Sequence, residues 1–220
     1  GIDSNCAPLG DIAQAGTHAV LKNRCYGSAL SAVVTHARAL HQGLRHGGVS
    51  GVLKHIPGHG RATLDSHLDL PRVPEDRSRL ERHDFEAFRQ LNRIEMGMTA
   101  HLVFEDIDPN HPATQSAAMI DIIRKDIGFA GLLMTDDISM EALSGPLDLR
   151  GQKALAAGCD IVLHCNGQMD QMQLLADSTE ELTGPSQMRV AQVLAQRPDV
   201  QPVDIQQVKA EFDALLGEFR

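Results

Sequence analysis

Short apolar runs and longer amphipathic stretches take turns along this chain, and their order is the first clue to its architecture. Residues 2–9, 49–53, 97–103, 131–135 and 160–165 read as strands. Each is short, rich in apolar residues and bounded by polar or glycine-containing segments. Between them, residues 28–45 place Leu30, Val33, Val34, Leu40 and Leu44 mostly on one helical face. Residues 77–93 do the same with Leu80, Phe85, Phe88 and Leu91. Residues 116–127 read as a helix ended by Gly128, and residues 149–157 as one stopped by Gly158. The remainder is helical, with breaks at Gly184-Pro185 and around Arg197-Pro198.

About five strands alternating with helices imply a mostly parallel sheet with crossover helices. A closed (β/α)8 barrel needs eight strands and roughly 250 residues. The expected fold class is therefore α/β of the TIM-barrel type, lacking its first strands. An open sheet is the alternative, and opening directly on a strand-like segment favours the barrel. No repeat, linker or low-complexity tract interrupts the chain, so residues 1–220 are expected to form one domain.

Composition narrows the functional classes. A net charge of −9 leaves no basic footprint for nucleic acid, so none is expected as a partner. No apolar stretch approaches the roughly 20 residues of a membrane span. The N-terminus lacks both the charged start and the apolar run of a signal peptide. The chain opens on Gly1 without a Met, so a start further upstream is expected. Four cysteines without CxxC spacing make a disulfide framework improbable and favour a reducing compartment. Cys6, Cys159 and Cys165 sit in or beside apolar runs and are expected to be small buried thiols.

The chemistry concentrates at two strand ends. The run 49–53 spills into Lys54-His55-Ile56-Pro57-Gly58-His59-Gly60, followed by Asp65-Ser66-His67. The run 131–135 ends in Asp136-Asp137. In α/β barrels the C-terminal strand ends carry the reactive groups. Together the two ends suggest an acid/base pair and a carboxylate nucleophile facing one pocket. The blander readings are a helix-capping Asp, a solvated loop His and a structural ion pair at Lys54 or His55. His59, between two glycines, suits a role in fixing the loop.

The motif from Lys54 to Gly60, with Asp65-Ser66-His67 and then Leu70-Pro71, resembles glycoside hydrolase family 3, above all its β-N-acetylhexosaminidase branch. Ile56 stands where that branch usually has Phe. The segment from Gly131 to Glu141, with Thr135-Asp136-Asp137, is similar to the family's nucleophile strand. Gly1-Ile2-Asp3 with Cys6-Ala7-Pro8-Leu9 resembles an earlier strand, and Asn23-Arg24-Cys25-Tyr26-Gly27 a characteristic turn. Gly158-Cys159-Asp160 with Cys165-Asn166 resembles a late strand.

The resemblance implies a single family 3 catalytic domain and a retaining enzyme that releases terminal β-linked N-acetylglucosamine. Its expected substrates are GlcNAc-containing saccharides, especially muropeptides of bacterial cell-wall recycling. It implies Asp136 as nucleophile and His67 as general acid/base, with Asp65 orienting the ring. Asp137 is then a non-catalytic neighbour. Arg24, Lys54, His55 and His101 are implied as substrate-binding residues, and Asn166 as a further candidate or a helix cap. No metal or organic cofactor is implied, and an oligomer is left open. Family members of this type usually carry about another hundred residues before the segment like Gly1-Ile2-Asp3, so a fragment is expected.

Three rivals remain. One is a metal-dependent hydrolase built on His55, His59, His67 and Asp65, although no helical HExxH is present. Another is an inactive barrel piece that binds sugars or partners. The last is a phosphorylase of the same family, which transfers the sugar to phosphate instead of water. The scarcity of aromatics, 3% with no Trp, means that any sugar here is gripped mainly by hydrogen bonds.

Overall fold

The computed structural model describes residues 2–182 and 184–217. Gly1, at the head of the first resembling segment, lies outside them. The core of the architecture is a parallel sheet in which β1 (Ser4–Asn5), β2 (Ser50–Ile56), β4 (Met96–Thr99), β6 (Leu132–Asp137) and β7 (Ile161–Leu163) lie side by side in that order. A second pair, β3 (Arg72–Val73) and β5 (Val103–Phe104), is also parallel. Consecutive parallel neighbours joined by helices are the expected α/β design. Among the described residues the main sheet is open and not a closed barrel.

The strands are apolar on both faces because both are covered, as parallel sheets require. Outward, Leu53, Ile56 and Leu133 meet Val33, Val34 and Ala37 of α2 (Leu30–His46) and Phe85, Phe88 and Leu91 of α4 (Asp84–Leu91). Phe85, Phe88, Phe104 and Phe129 are fully buried there, so four of the few aromatics serve the core, whereas Phe212 is exposed. Gly97 leaves room for them: a Cβ on it would lie 2.5 Å from Ile56 Cδ1 and 2.7 Å from the Phe129 ring. Inward, Val52, Met96, Met98 and Leu132 form a second, smaller cluster with Val190 and Val193 of α8 (Gly184–Ala195).

That helix runs along the N-terminal end of the sheet. Arg189 and Ser186 bond Asp160, just before β7, each at 2.7 Å. Farther on, the Gln196 carbonyl accepts from Arg45, and Arg197 pairs with Asp3, just before β1. Polar contacts at both ends and valines in the middle therefore seat α8 on this end of the sheet.

Several sequence expectations need correction. The run 97–103 is two strands, because the chain turns between Thr99 and Val103 to join different sheets. The helix expected over 77–93 is α3 (Arg77–Arg82), capped by Asp76, and then α4, with a break at His83 (φ −123°, ψ −72°). The helix expected over 116–127 starts under a Ser116 cap as α5 (Ala117–Asp121) and widens into a π turn, Ile122–Asp126. α6 (Leu147–Ala157) ends at Gly158, whose φ of +114° suits glycine. Cys159 is buried, but Cys6 and Cys165 are exposed, since each lies past the end of an edge strand. A short α1 (Ala19–Lys22), α7 (Met169–Ser178) and α9 (Ile205–Gly217) complete the described α-helices, and α9 buries none of its residues. No described helix is long and apolar enough to cross a membrane.

Candidate active site

The C-terminal ends of β2, β4 and β6 bring His55, His101 and Asp136 together. Asp136 keeps one carboxylate oxygen on its own turn: Oδ1 accepts the Asp137 N–H at 2.8 Å. Its Oδ2 lies 3.8 Å from His55 Nε2. Burial pushes the Asp136 carboxyl up. The nearby His55, His101, the Asp137 N–H and Lys54 outweigh that and hold it below the ordinary value of 3.8. A carboxylate that stays ionised, has one oxygen uncommitted and keeps 22% of its side chain exposed has the makings of a nucleophile.

Asp137 is differently employed. Its Oδ1 accepts the Ser139 and Cys165 N–H groups at 3.0 and 3.2 Å, and its Oδ2 the Ser139 hydroxyl at 2.8 Å. It shapes the turn after β6 and ties it to the exit of β7. His101 is fully engaged as well: Nε2 donates to the Asp137 carbonyl at 3.1 Å and Nδ1 meets Thr114 Oγ1 at 2.7 Å. Both ring nitrogens are held by protein groups, so His101 braces the Asp136–Asp137 turn and offers neither nitrogen to a sugar. Burial dominates its titration and pushes it down.

The loop that follows β2 is pinned along its first half. Thr17 Oγ1 donates to the Gly60 carbonyl at 2.5 Å, and the His18 N–H to the Ala62 carbonyl at 3.0 Å. Arg61 reaches Asp84 at 2.8 Å and Glu75 at 2.6 Å. His59 is buried, 3.2 Å from the Ser66 hydroxyl through Nε2, and its ring stands edge-on to His55 at 5.4 Å. His59 thus links the strand end to the Asp65-Ser66-His67 turn.

His67 and Asp65 form a local pair. Asp65 Oδ1 accepts both the His67 N–H at 3.0 Å and Nδ1 at 2.7 Å. Nε2 is left as the available nitrogen on a ring whose side chain is 57% exposed. Backbone bonds tie the pair's loop to residues that follow β6. The Glu141 N–H donates to the His67 carbonyl at 3.4 Å and the Ala142 N–H to the Ser66 carbonyl at 3.3 Å.

Lys54, half-buried, lends positive charge to Asp136. Arg24 is exposed, and its guanidinium makes no hydrogen bond or ion pair with described residues. Asn166 is occupied in its own turn with Gln168 and Gln171. The metal rival's residues divide: Asp65 and His67 pair with each other, while His55 meets Asp11. Among the described residues no three His, Cys, Asp or Glu side chains gather as a metal site. A hollow of about 650 Å³ around Cys159, Asp160 and Arg189 lies at the opposite end of the sheet, away from this cluster.

The residue that sequence reasoning missed is Asp11, which is fully buried directly behind His55. The segment Cys6-Ala7-Pro8-Leu9 had pointed to the right strand. Asp11 lies two residues beyond that segment, past the point where Leu9 bridges Lys54.

An open parallel sheet with acid, base and carboxylate side chains at its C-terminal rim defines an α/β enzyme scaffold. The chain belongs to glycosyl hydrolase family 3: the family's N-terminal domain matches residues 1–196. A β-hexosaminidase of Alkalilimnicola ehrlichii is 43% identical over 171 residues, covering 76% of this chain and 49% of that protein. The solved structure of NagZ from Neisseria gonorrhoeae, in complex with N-trifluoroacetyl-D-glucosamine, superposes with a TM-score of 0.80 at 34% identity. It covers 94% of this chain and 59% of the other. A family 3 β-N-acetylglucosaminidase from Paenibacillus sp. gives a TM-score of 0.82 at 28% identity, covering 93% and 43%. The chain spans about half the length of the curated relatives it matches.

Proposed function

We propose that this chain carries the catalytic groups of a retaining exo-β-N-acetylglucosaminidase. The finer fold reading, a (β/α)8 barrel of which these strands are part, and the single family 3 catalytic domain over residues 1–220 belong to the same proposal. So do muropeptide fragments as substrates and the cytoplasm as the place of action.

The observation that carries the reading is the Asp136 carboxylate, ionised and with Oδ2 uncommitted, on a turn bonded to the loop that bears the His67–Asp65 pair. In the reaction, Asp136 attacks the anomeric carbon while His67 Nε2 protonates the departing oxygen. The bond from the anomeric carbon to that oxygen breaks, and a sugar ester forms on Asp136. His67, now neutral, takes a proton from water, which displaces Asp136 and restores the β configuration. Asp65 holds the ring by Nδ1 and stabilises its charged form, as carboxylates behind catalytic histidines do. Lys54 and His55 hold charge and hydrogen-bonding capacity beside the nucleophile, and Arg24 is free to swing toward a sugar.

The test is release of aryl alcohol from an aryl β-N-acetylglucosaminide by this chain and by Asp136→Asn, with and without inorganic phosphate. Turnover that disappears in the variant and needs no phosphate supports hydrolysis. A sugar phosphate product would move the chain to the phosphorylases, and undiminished turnover by Asp136→Asn would overturn the assignment.

A further inference from the structure

Asp11 has no exposed surface, and three N–H groups converge on it. The backbone N–H of His55 lies 3.3 and 3.2 Å from its two oxygens. The backbone N–H of His59 meets Oδ1 at 2.7 Å, and His55 Nδ1 meets Oδ2 at 2.7 Å. A carboxylate that receives backbone N–H groups is an acceptor and has no proton to give. Nδ1 of His55 must therefore bring the proton to that contact. With Nδ1 fixed on Asp11, the other edge of the ring is aimed at Asp136 Oδ2, 3.8 Å from Nε2.

We infer that Asp11 is a positioning residue for the candidate active site: it locks His55 with a proton on Nδ1 and the Nε2 edge against Asp136. Through the His59 amide it also joins the end of β2 to the loop that leads to Asp65 and His67. Three features favour this over a role confined to loop folding. The ring contact is one of the two shortest made to Asp11. It uses the oxygen that the His59 amide leaves alone. And the ring it holds is the one facing the proposed nucleophile. Buried Asp11 carries its charge at this spot because, although burial raises its affinity for a proton, His55 and His59 together lower it further. The catalytic consequence rests on the reading of Asp136 given above; the geometric claim does not.

Asp11→Asn separates the two. Its side-chain oxygen can keep the His59 amide, but its NH2 replaces Oδ2 and donates toward Nδ1. Nδ1 of His55 thereby loses its proton, and the ring keeps one on Nε2, facing Asp136. Imidazole 15N–1H correlation spectra report which ring nitrogen is protonated, and His55→Gln identifies the signals. The expected result is a protonated Nδ1 in the native chain and, in Asp11→Asn, a bare Nδ1 with Nε2–H. A bare Nδ1 in the native chain overturns the inference even if Asp11→Asn does not fold, as does an unchanged ring pattern in a folded variant. These spectra need no turnover, so an inactive chain leaves them decisive. In a chain that turns over, Asp11→Asn should lower kcat by about 10- to 100-fold, the range for carboxylates that orient a metal-bound His, with a smaller change in KM. It should add little to His55→Gln. Losses that multiply in the double variant would contradict a shared route through His55.

Discussion

Acid should destabilise this fold through His59 as the pH falls below 6.5, and the structure sets the size of the effect. The ring is buried between His55 and Ser66, and Nδ1 has no hydrogen-bond partner. A neutral ring donates through Nε2 and leaves only a lone pair unused. A charged ring would bury an N–H with nothing to receive it. Burial first, then the neighbouring His55, pull the ring from 6.5 down to about 4, against the opposing pull of Asp11.

The sign follows. Above 6.5 neither the folded nor the unfolded chain holds the proton. Between 6.5 and about 4 only the unfolded chain does, so stability falls as pH falls. At about 1.36 kcal/mol for each factor of ten in proton affinity, the loss approaches 3 kcal/mol by the lower end. His41 and His101 are also lowered by burial and add to the slope, so the native curve alone does not isolate His59.

His59→Gln removes the titration and keeps a polar end for Ser66. Urea unfolding at several pH values from 7 to about 4.5 gives the stability gap between native and variant. The variant should be the weaker at pH 7, from lost packing, and the gap should narrow by about 2 kcal/mol toward acid. A gap that stays constant over this range would refute the reasoning, because it would mean that the ring takes up its proton as readily folded as unfolded.

Two further substitutions probe the scaffold. A Cβ on Gly60 would sit 1.9 Å from the Ile12 carbonyl oxygen, which is backbone and cannot rotate away. Gly60→Ala should therefore cost about 1–3 kcal/mol or more and lower Tm by several degrees; an unchanged Tm would mean that the loop is not seated as described. Asp160 accepts from Arg124, Arg189, Ser186 and the Leu133 N–H, each within 2.9 Å. Asp160→Ala strands the Arg124 charge and should cost about 3–5 kcal/mol, read from the urea midpoint; a loss below about 1 kcal/mol would show that the Asp160 contacts add little to the stability.

How much of this was legible beforehand depends on whether a residue's role is local or tertiary. α2 could be read because Val33, Val34 and Ala37 are buried at helical spacing. The ends of β2 and β6 could be read because apolar runs stop at charged residues. The split between β4 and β5 was invisible: residues 97–103 hold no proline or charged carboxylate to mark a break, and the turn depends on partners far away. The Ala100 N–H goes to the Ile56 carbonyl, and His101 reaches across to Asp137. The break at His83 interrupts a good helical period and left no mark in it. Asp11 is the clearest case. A single Asp after an apolar run has no periodicity or spacing to single it out, and its importance appears only when residues 44 and 48 positions later in the chain fold onto it. α9 shows the reverse, with apolar residues at helical spacing and none of them buried.

If Asp136 is the nucleophile, the sugar must become covalently bound to it during turnover. In His67→Ala the second half of the reaction should stall, because nothing activates the water, while an aryl leaving group still departs. The measurement is acid quenching of this variant with an aryl β-N-acetylglucosaminide, followed by peptide mass mapping. One acetylated aminosugar is expected on the peptide that contains Asp136, and none when Asp136→Asn is added. Turnover with no adduct, as when the substrate's own acetamido group attacks, or an adduct on a different carboxylate, would contradict Asp136 as the nucleophile.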